Sequence, residues 1–417
     1  MHISLSDRGN RKNTPGAAVA SRVSGVEIML GIVSMLTDVS SESVAAILPL
    51  YVTGTMRLTT IAYGFIDGLY QGVSAFARIG GGWVSDRVDR PKWIAFFGYG
   101  LSALAKVWLL FATGFAALAA VITVDRLGKG ARTGPRDAII TASSRPENLG
   151  HSFGVYRMLD TIGATVGPLL AFLVLFFIPN GCSTVFVVSL AFAFVGVAIL
   201  GLLVPGRRPV VGTSADSTRR QPFQWRRLNE PRLRRLVLAA GILGLLTVGD
   251  GFIYLSLQSR SHFAAQWFPL LYVGTNIAFF LFAVPLGRLA DRIGRARVFV
   301  FGHVALLAAY ACTALPFGSA VVTAACLLPL GCLYASTDGV LAALAGQLSP
   351  EGTTASGISA TQSVVAVARL LASTGFDVLW FSLGRVNAIV IVAAALAVAI
   401  PAVFLLLRPL LPTERTA

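Results

Sequence analysis

GWVSDRVDR (residues 82–90) and GRLADRIGR (residues 287–295) are two versions of one polar segment, and they lie 205 residues apart in this chain. Each follows a long apolar run and precedes another. A weaker pair, SRPE (144–147) and LSPE (348–351), repeats with an offset of 204 residues. Two repeats at nearly one offset indicate that the chain consists of two related halves.

The composition indicates that lipid surrounds most of this chain. Its 417 residues have a mean hydropathy of +0.74 and only 13% are charged, against about 25% in soluble domains. A membrane-spanning helix needs about 20 mostly apolar residues. The apolar runs predict twelve such helices, at 26–52, 60–84, 93–113, 115–138, 151–178, 184–205, 234–257, 266–287, 297–315, 319–345, 354–382 and 387–407. The first run begins near Val26 and is too long for a signal-peptide core, so we expect it to be retained.

The distribution of basic residues predicts the orientation. If the N-terminus is cytoplasmic, only Arg57, Arg260 and Arg385 of the 34 Lys and Arg lie in loops on the other side. Positive residues favour cytoplasmic loops, so both termini are predicted to be cytoplasmic. The same placement explains the net charge of +15 without nucleic-acid binding.

The domain organisation follows from one long polar stretch in the middle. We predict a cytoplasmic N-terminal tail (1–25), a six-helix bundle (26–205), a basic cytoplasmic linker (206–233), a second six-helix bundle (234–408) and a C-terminal tail (409–417).

The repeated segment resembles the cytoplasmic loop motif of the major facilitator superfamily, G-x-x-x-D-R-x-G-R. The second copy fits at each defined position, and the first has Asp89 in place of glycine. The resemblance implies an all-α membrane protein of twelve helices in two pseudo-symmetric bundles. In it, the repeated segments would be conformational latches whose aspartates accept hydrogen bonds from nearby arginines. The expected latch residues are Gly82, Asp86, Arg87, Arg90, Gly287, Asp291, Arg292, Gly294 and Arg295.

Two partial matches point to a subgroup of this family. RLGKG (126–130) resembles the R-x-x-Q-G motif, with Lys129 in place of glutamine. GATVGP (163–168) resembles the G-x-x-x-G-P motif of the proton-coupled drug antiporters, although the Gly-Gly that follows there is absent. The resemblance therefore favours an exporter, and we expect Gly163, Gly167 and Pro168 to form a structural hinge.

Two acidic residues in the first predicted helix are candidates for proton coupling. Asp38 and Glu42 lie one turn apart on the same face. A charge at mid-bilayer costs about 2.5–3.5 kcal/mol even on the lenient insertion scale, so Asp38 is expected to face a cavity or a partner. The functional interpretation is a proton or cation site. The alternative is a structural pairing with basic residues of the fourth predicted helix.

The fourth predicted helix carries an unusual set of charges. Arg126 is expected near the midplane with Lys129 closer to the cytoplasm, where both could line a cavity and meet Asp38, Glu42 or an anionic substrate. Arg132 could line the same cavity. The alternative is that Arg132 and Arg136 reach the cytoplasmic interface, and Pro135 is interpreted as ending or kinking the helix. In the fifth predicted helix, Asp160 is a candidate second proton-relay group, with pairing to Arg157 as the alternative.

These features predict a secondary transporter that works by alternating access, with proton-coupled efflux of a small organic solute as the leading hypothesis. The alternative is an importer or exchanger of an organic anion, and a non-transporting receptor or scaffold is a distant third. We expect no enzyme activity, no cofactor and no metal site, since neither a phosphate-binding loop nor a histidine cluster is visible. The expected partners are the solute, protons and the bilayer. We expect a monomer in a bacterial plasma membrane.

Overall fold

The computed structural model describes residues 25–87, 91–143, 149–204, 230–316, 318–350 and 354–410. These residues are almost entirely helical, and no strand occurs among them. The prediction of an all-α fold is therefore confirmed.

The described part of the first half forms six α-helices. They are α1 (Gly25–Leu50), α2 (Thr60–Arg87), α3 (Pro91–Leu109), α4 (Gly114–Ser143), α5 (Leu149–Phe177) and α6 (Cys182–Leu203). A π-helical turn (Tyr51–Thr55) extends α1. Pro135 lies inside α4, which continues to Ser143. Of the two predicted effects of Pro135, ending the helix is therefore excluded, because the helix continues beyond the proline at the expense of one backbone hydrogen bond. The predicted range 115–138 ends five residues too early.

The described residues of the second half form seven α-helices. They are α7 (Pro231–Leu245), α8 (Asp250–Ser261), α9 (Pro269–Ile293), α10 (Arg295–Ala314), α11 (Ala320–Leu348), α12 (Thr354–Leu383) and α13 (Arg385–Leu407). The predicted single helix 234–257 is interrupted between Leu245 and Asp250. At the break, the Tyr310 hydroxyl donates to Leu246 O and accepts from Val248 N, both at 2.8 Å. Tyr310 of α10 thus satisfies backbone groups that a continuous helix would have paired internally.

The two halves repeat one packing pattern. In the first half, α1 packs against α5 and α6, while α2 and α3 pack against α4. In the second half, α7 packs against α12 and α13, while α9 and α10 pack against α11.

Nine segments of the described chain are long and apolar enough to cross a membrane; one of them joins α7 to α8. The helices α2, α3 and α4 are not among the nine. Helix α4 contains Asp125, Arg126, Lys129 and Arg132 within its central turns, and those charges must lie inside the bundle to be tolerated.

The helices alternate in direction, so one end of the bundle carries the start of α1 and the end of α13. We call it the terminal end and the opposite one the far end. The halves touch through α2 with α12 and through α5 with α9. In the far half of α2, Asp67 accepts a hydrogen bond from Ser373 Oγ of α12 at 2.7 Å. Between α5 and α9, Asn276 Nδ2 donates to Ala164 O at 3.4 Å.

Candidate functional site

A shared lysine is the centre of the candidate site. Lys129 Nζ of α4 lies 3.4 Å from Asp38 Oδ1 and 3.3 Å from Glu42 Oε1, both on α1. The side chains of Lys129 and Glu42 are 28% exposed and that of Asp38 is 10% exposed. One ammonium group is therefore divided between two carboxylates at the boundary between the buried interior and accessible space.

Asp160 of α5 extends this cluster. Its Oδ1 accepts hydrogen bonds from Ser34 Oγ at 2.6 Å and from Tyr156 OH at 3.0 Å. The charges that act on Asp38 include Asp160 as well as Lys129, Glu42 and Arg132. The fold thus brings together Asp38, Glu42, Lys129 and Asp160, which come from three separate helices. The hydrogen bonds found for Asp160 come from Ser34 and Tyr156, whereas the Arg157 side chain is exposed.

Arg126 belongs to a different, deeper network. Its guanidinium pairs with Asp125 at 2.5 Å and stacks on the Tyr70 ring, with Cζ 3.7 Å from the ring centroid. Asp125 also binds Lys106 Nζ at 3.1 Å and accepts from Ser102 Oγ. In this structure Arg126 is only 3% exposed, and its guanidinium pairs with Asp125 instead of with Asp38 or Glu42.

Sequence reasoning missed Lys106 and Asp67. Lys106 lies in the otherwise apolar run of α3, and Asp67 lies in α2 against the second half of the chain. The signal that singled out Asp38, a charge within an apolar run, applies equally to both.

Arg132 and Arg136 are held inside the bundle. Arg132 is buried, with Nη2 3.8 Å from Asp38 Oδ1 and Cζ 4.1 Å from the Tyr99 ring centroid. Arg136 pairs with Asp137 at 2.7 Å and lies 4.5 Å from the Tyr156 ring centroid. Arg132 therefore contacts Asp38, one of the carboxylates that the sequence offered as its partner in a cavity. Its cost of burial is offset by an aromatic face and a carboxylate.

The two latch segments differ in what can be described. Gly82, Asp86 and Arg87 lie at the end of α2, their side chains fall outside the described set, and Arg90 lies outside the described residues. In the second copy, Asp291 accepts from Arg295 Nη2 at 3.3 Å, and Gly294 joins α9 to α10 with φ +99°. That backbone conformation favours glycine, which accounts for Gly294. Asp291 is exposed, as is Arg292, and Gly287 lies one turn before Asp291 within α9.

The glycines of α5 pack against α1. A Cβ atom added at Gly167 would lie 2.8 Å from Val39 O and 2.9 Å from Ser43 N, and one at Gly163 would meet the backbone of Met35. Pro168 follows inside a helix that runs without interruption from Leu149 to Phe177. These two glycines let α5 approach the backbone of α1 next to Asp38 and Glu42.

In the second half, the interior charges are more sparsely bonded. Asp250 accepts from Tyr334 OH at 2.7 Å, and Arg369 Cζ lies 5.9 Å from the Tyr334 ring centroid. Asp377 of α12 is buried against Gly64 of α2. No group of three or more His, Cys, Asp and Glu side chains within the described ranges has the arrangement of a metal site.

Comparison with known proteins identifies relatives over most of the helical region. The sequence profile described as the Major Facilitator Superfamily matches residues 30–373. An uncharacterised MFS-type transporter of Methanocaldococcus jannaschii is 28% identical over 361 residues, which are 84% of this chain and 87% of that protein. An uncharacterised protein of Mycobacterium tuberculosis is 27% identical over 290 residues, 67% of this chain and 68% of its own.

Solved structures share the fold at low sequence identity. A POT family transporter in complex with 5-aminolevulinic acid aligns with a TM-score of 0.79 at 14% identity, covering 93% of this chain and 96% of its own. A nucleoside transporter aligns with a TM-score of 0.74 at 16% identity, covering 92% and 100%. A bacterial homologue of the human lysosomal transporter Spinster, in an inward-facing and unoccupied conformation, has a TM-score of 0.74 at 15% identity, covering 92% and 96%.

Proposed function

Since the chain belongs to the major facilitator superfamily and is a multi-pass secondary transporter rather than an enzyme, we propose that it exports a small organic solute in exchange for protons. This assigns it to the drug and metabolite antiporter type. Similarly folded proteins include nucleoside and peptide transporters, which supports a small solute as cargo.

The shared lysine carries this proposal. Lys129 Nζ is nearly equidistant from Asp38 and Glu42, so each carboxylate competes for one positive charge. A proton that binds Asp38 cancels the negative charge of that carboxylate, so Lys129 then pairs with Glu42 alone. Loss of the proton restores the competition. Because Glu42 and Lys129 are partly exposed, a solute in the path can sense which state the pair is in, and this is what coupling requires. Asp160 would pass protons between Asp38 and the terminal end.

In alternating access, the side on which protons and solute exchange depends on which end of the bundle is open. The cross-half contacts of Asp67 with Ser373 and of Asn276 with Ala164 lie toward the far end, which supports a state that is open toward the terminal end. In the opposite state, the terminal end would close, and the latch segments Gly82–Arg90 and Gly287–Arg295 would bind across it. Asp291 is 68% exposed and is therefore available for such a contact. Gly163, Gly167 and Pro168 would form the hinge of α5.

The membrane placement is part of the same proposal. Twelve crossings, with α7 and α8 forming one of them, put both termini on the cytoplasmic side of a bacterial inner membrane. The bundles 26–205 and 234–408 would move as two bodies joined by the linker 206–233, in a monomer.

The second candidate is an importer or exchanger of an organic anion. The partly exposed ammonium of Lys129 favours it, since that group could meet an anionic substrate directly. It lacks the contribution expected from Arg126, whose charge is bound to Asp125.

The test is substrate-induced proton movement in sealed vesicles that contain the purified protein and a trapped pH-sensitive dye. A panel of cationic, neutral and anionic solutes is added outside. We expect one solute class to drive proton efflux, and Asp38→Asn to abolish it while solute exchange remains. The matched control is Asp137→Asn, because Asp137 is a partly exposed carboxylate of α4 that pairs with the adjacent Arg136.

Two results would contradict the proposal. Proton movement that survives Asp38→Asn would remove Asp38 from the coupling path. Anion uptake that depends on Lys129 and occurs without proton movement would instead establish the exchanger.

A further inference from the structure

The interior charges of the second half lack the pairing seen in the first. In the first half, Asp125 pairs with Arg126 and Lys106, and Lys129 pairs with Asp38 and Glu42. In the second half, the corresponding interior groups are Asp250, Asp338, Arg369 and Asp377. None of these four has an ion-pair partner within 4 Å among the described residues.

Arg369 faces the interior of the protein. Leu371 and Val378 of the same helix are 54% and 55% exposed and mark its lipid-facing side. At 100° per residue, Arg369 points about 160–180° away from these two side chains. Its Nε is buried and has no hydrogen-bond partner in the described part of the chain. A guanidinium in this position keeps donors that no described side chain uses.

Asp338 is the counterpart of Arg369 on α11. It lies one turn after Tyr334, whose hydroxyl is bound to Asp250. Its side chain is exposed, and a carboxylate within a membrane helix is exposed to an aqueous path rather than to lipid. Asp338 and Arg369 act on each other electrostatically, yet they are more than 4 Å apart. Tyr334 relates the two groups in space, since Arg369 Cζ lies 5.9 Å from its ring centroid and Asp338 follows it by one turn of α11. The two opposite charges therefore lie on either side of Tyr334 without forming an ion pair.

We propose that Arg369 binds the anionic group and Asp338 the ammonium group of one zwitterionic solute. This inference rests on the proposed transport function and names the substrate class of its path. A guanidinium is suited to a bidentate contact with a carboxylate. A solute that carries only a negative charge would meet Asp250 and Asp338 beside Arg369, and one that carries only a positive charge would meet Arg369 itself. A solute with both charges satisfies both groups, and the remaining repulsion rejects the other classes.

This assignment separates two tasks between the halves. Lys129 with Asp38 and Glu42 exchanges the proton, and Arg369 with Asp338 holds the solute. Neither group needs to change its role during the cycle.

The first test requires no substrate. Asp338→Cys is introduced into the full-length protein after Cys182, Cys312, Cys326 and Cys332 are replaced by alanine. Its rates of reaction with anionic and cationic methanethiosulfonates are then compared. We expect the anionic reagent to be favoured, and Arg369→Gln to lower the anionic-to-cationic rate ratio at least tenfold. Arg297→Gln is the matched control, because Arg297 donates to Ile293 O at the terminal end of α10. A ratio that does not depend on Arg369 would overturn the proposal.

The second test identifies the solute class. The purified full-length protein is heated with each of the twenty protein amino acids, with their amides and with the deaminated acids. We expect a zwitterion to raise the melting temperature more than either singly charged analogue. The rise should be lost in both Arg369→Gln and Asp338→Asn and retained in Arg297→Gln. Stabilisation by amines alone, by acids alone or by no compound would overturn the zwitterion assignment.

Neither measurement uses a proton gradient. Failure of proton coupling would leave both results unchanged, and failure of the zwitterion site would leave the vesicle experiment on Asp38 unchanged. The two proposals are therefore tested separately.

Discussion

At the scale of single residues, the first half of this protein holds its charges through shared partners. Asp125 is the only carboxylate that directly contacts both Lys106 and Arg126 in the described structure. Removal of the Asp125 carboxylate would leave Lys106 and Arg126 buried without their counter-charge. Breaking a buried pair costs more than the pair itself contributes, because the remaining ion stays desolvated.

We therefore expect Asp125→Asn to lower the free energy of unfolding by about 3–5 kcal/mol. The measurement is the thermal unfolding of detergent-solubilised protein. Asp291→Asn is the control, since Asp291 is 68% exposed and exposed pairs contribute about 0–1 kcal/mol. Equal effects of the two substitutions would mean that Lys106 and Arg126 find other partners.

At the scale of helices, two contacts govern how elements fit together: α5 against α1, and Tyr310 against the break between α7 and α8. Both act on backbone atoms. The first lies beside Asp38, which the proposed mechanism uses, and the second lies beside Asp250, which accepts a hydrogen bond from Tyr334.

Gly163→Ala and Gly167→Ala are expected to force α5 away from α1. The added methyl group at either position would collide with the α1 backbone, and overpacking of this kind costs about 1–3 kcal/mol. Gly154→Ala is the matched control in the same helix, because no atom lies within 4 Å of the added Cβ. That substitution should be neutral or stabilise the helix by up to about 1 kcal/mol. Thermal unfolding of the three variants checks the order. Melting temperatures of Gly163→Ala and Gly167→Ala equal to that of Gly154→Ala would rule out the tight contact.

Tyr310→Phe is expected to destabilise the break between α7 and α8. It removes the hydroxyl that donates to Leu246 O and accepts from Val248 N. An unsatisfied buried backbone group costs about 1–3 kcal/mol. Tyr99→Phe is the control. Tyr99 is equally buried, but its hydroxyl has no hydrogen-bond partner in the described structure. Similar melting temperatures for the two variants would show that water or a rearranged backbone replaces the Tyr310 hydroxyl.

At the scale of the whole molecule, the question is what keeps the halves together at the far end. The hydrogen bond from Ser373 to Asp67 joins them directly. A hydrogen bond to a carboxylate contributes about 1.5–3 kcal/mol. Because every 1.4 kcal/mol is a factor of about ten in an equilibrium, this one contact can bias the choice between facing states.

Ser373→Ala is accordingly expected to shift the population about tenfold or more toward the state that is closed at the terminal end. Spin labels at Thr141→Cys and Ile293→Cys, one on each half, report the distance across that end by pulsed electron paramagnetic resonance. Ser382→Ala is the control on the same helix, because Ser382 bonds only to carbonyls of its own helix. An unchanged distance distribution in Ser373→Ala would mean that the bond does not govern the equilibrium.

The sequence by itself determined the fold class and the family, since both depend on features that are local along the chain. Apolar runs of sufficient length specify membrane helices wherever their neighbours lie. The segment 287–295 carries its whole motif within nine consecutive residues. The motif includes Gly294, whose positive φ favours glycine. Asp38, Glu42 and Lys129 could be singled out because a charge in an apolar run is costly wherever the helix packs.

Only the tertiary structure decided which charge meets which. Lys129 turns to Asp38 and Glu42, whereas Arg126, three residues earlier, turns to Asp125 and Tyr70. Helical spacing gives the face of a residue but not the helix that packs against it, and Lys106 and Asp67 acquire their partners from α4 and α12. The break before α8 likewise depends on a tyrosine more than sixty positions away. Pairings over such separations are fixed by packing, because only the folded bundle places one buried charge where its neutralising partner lies.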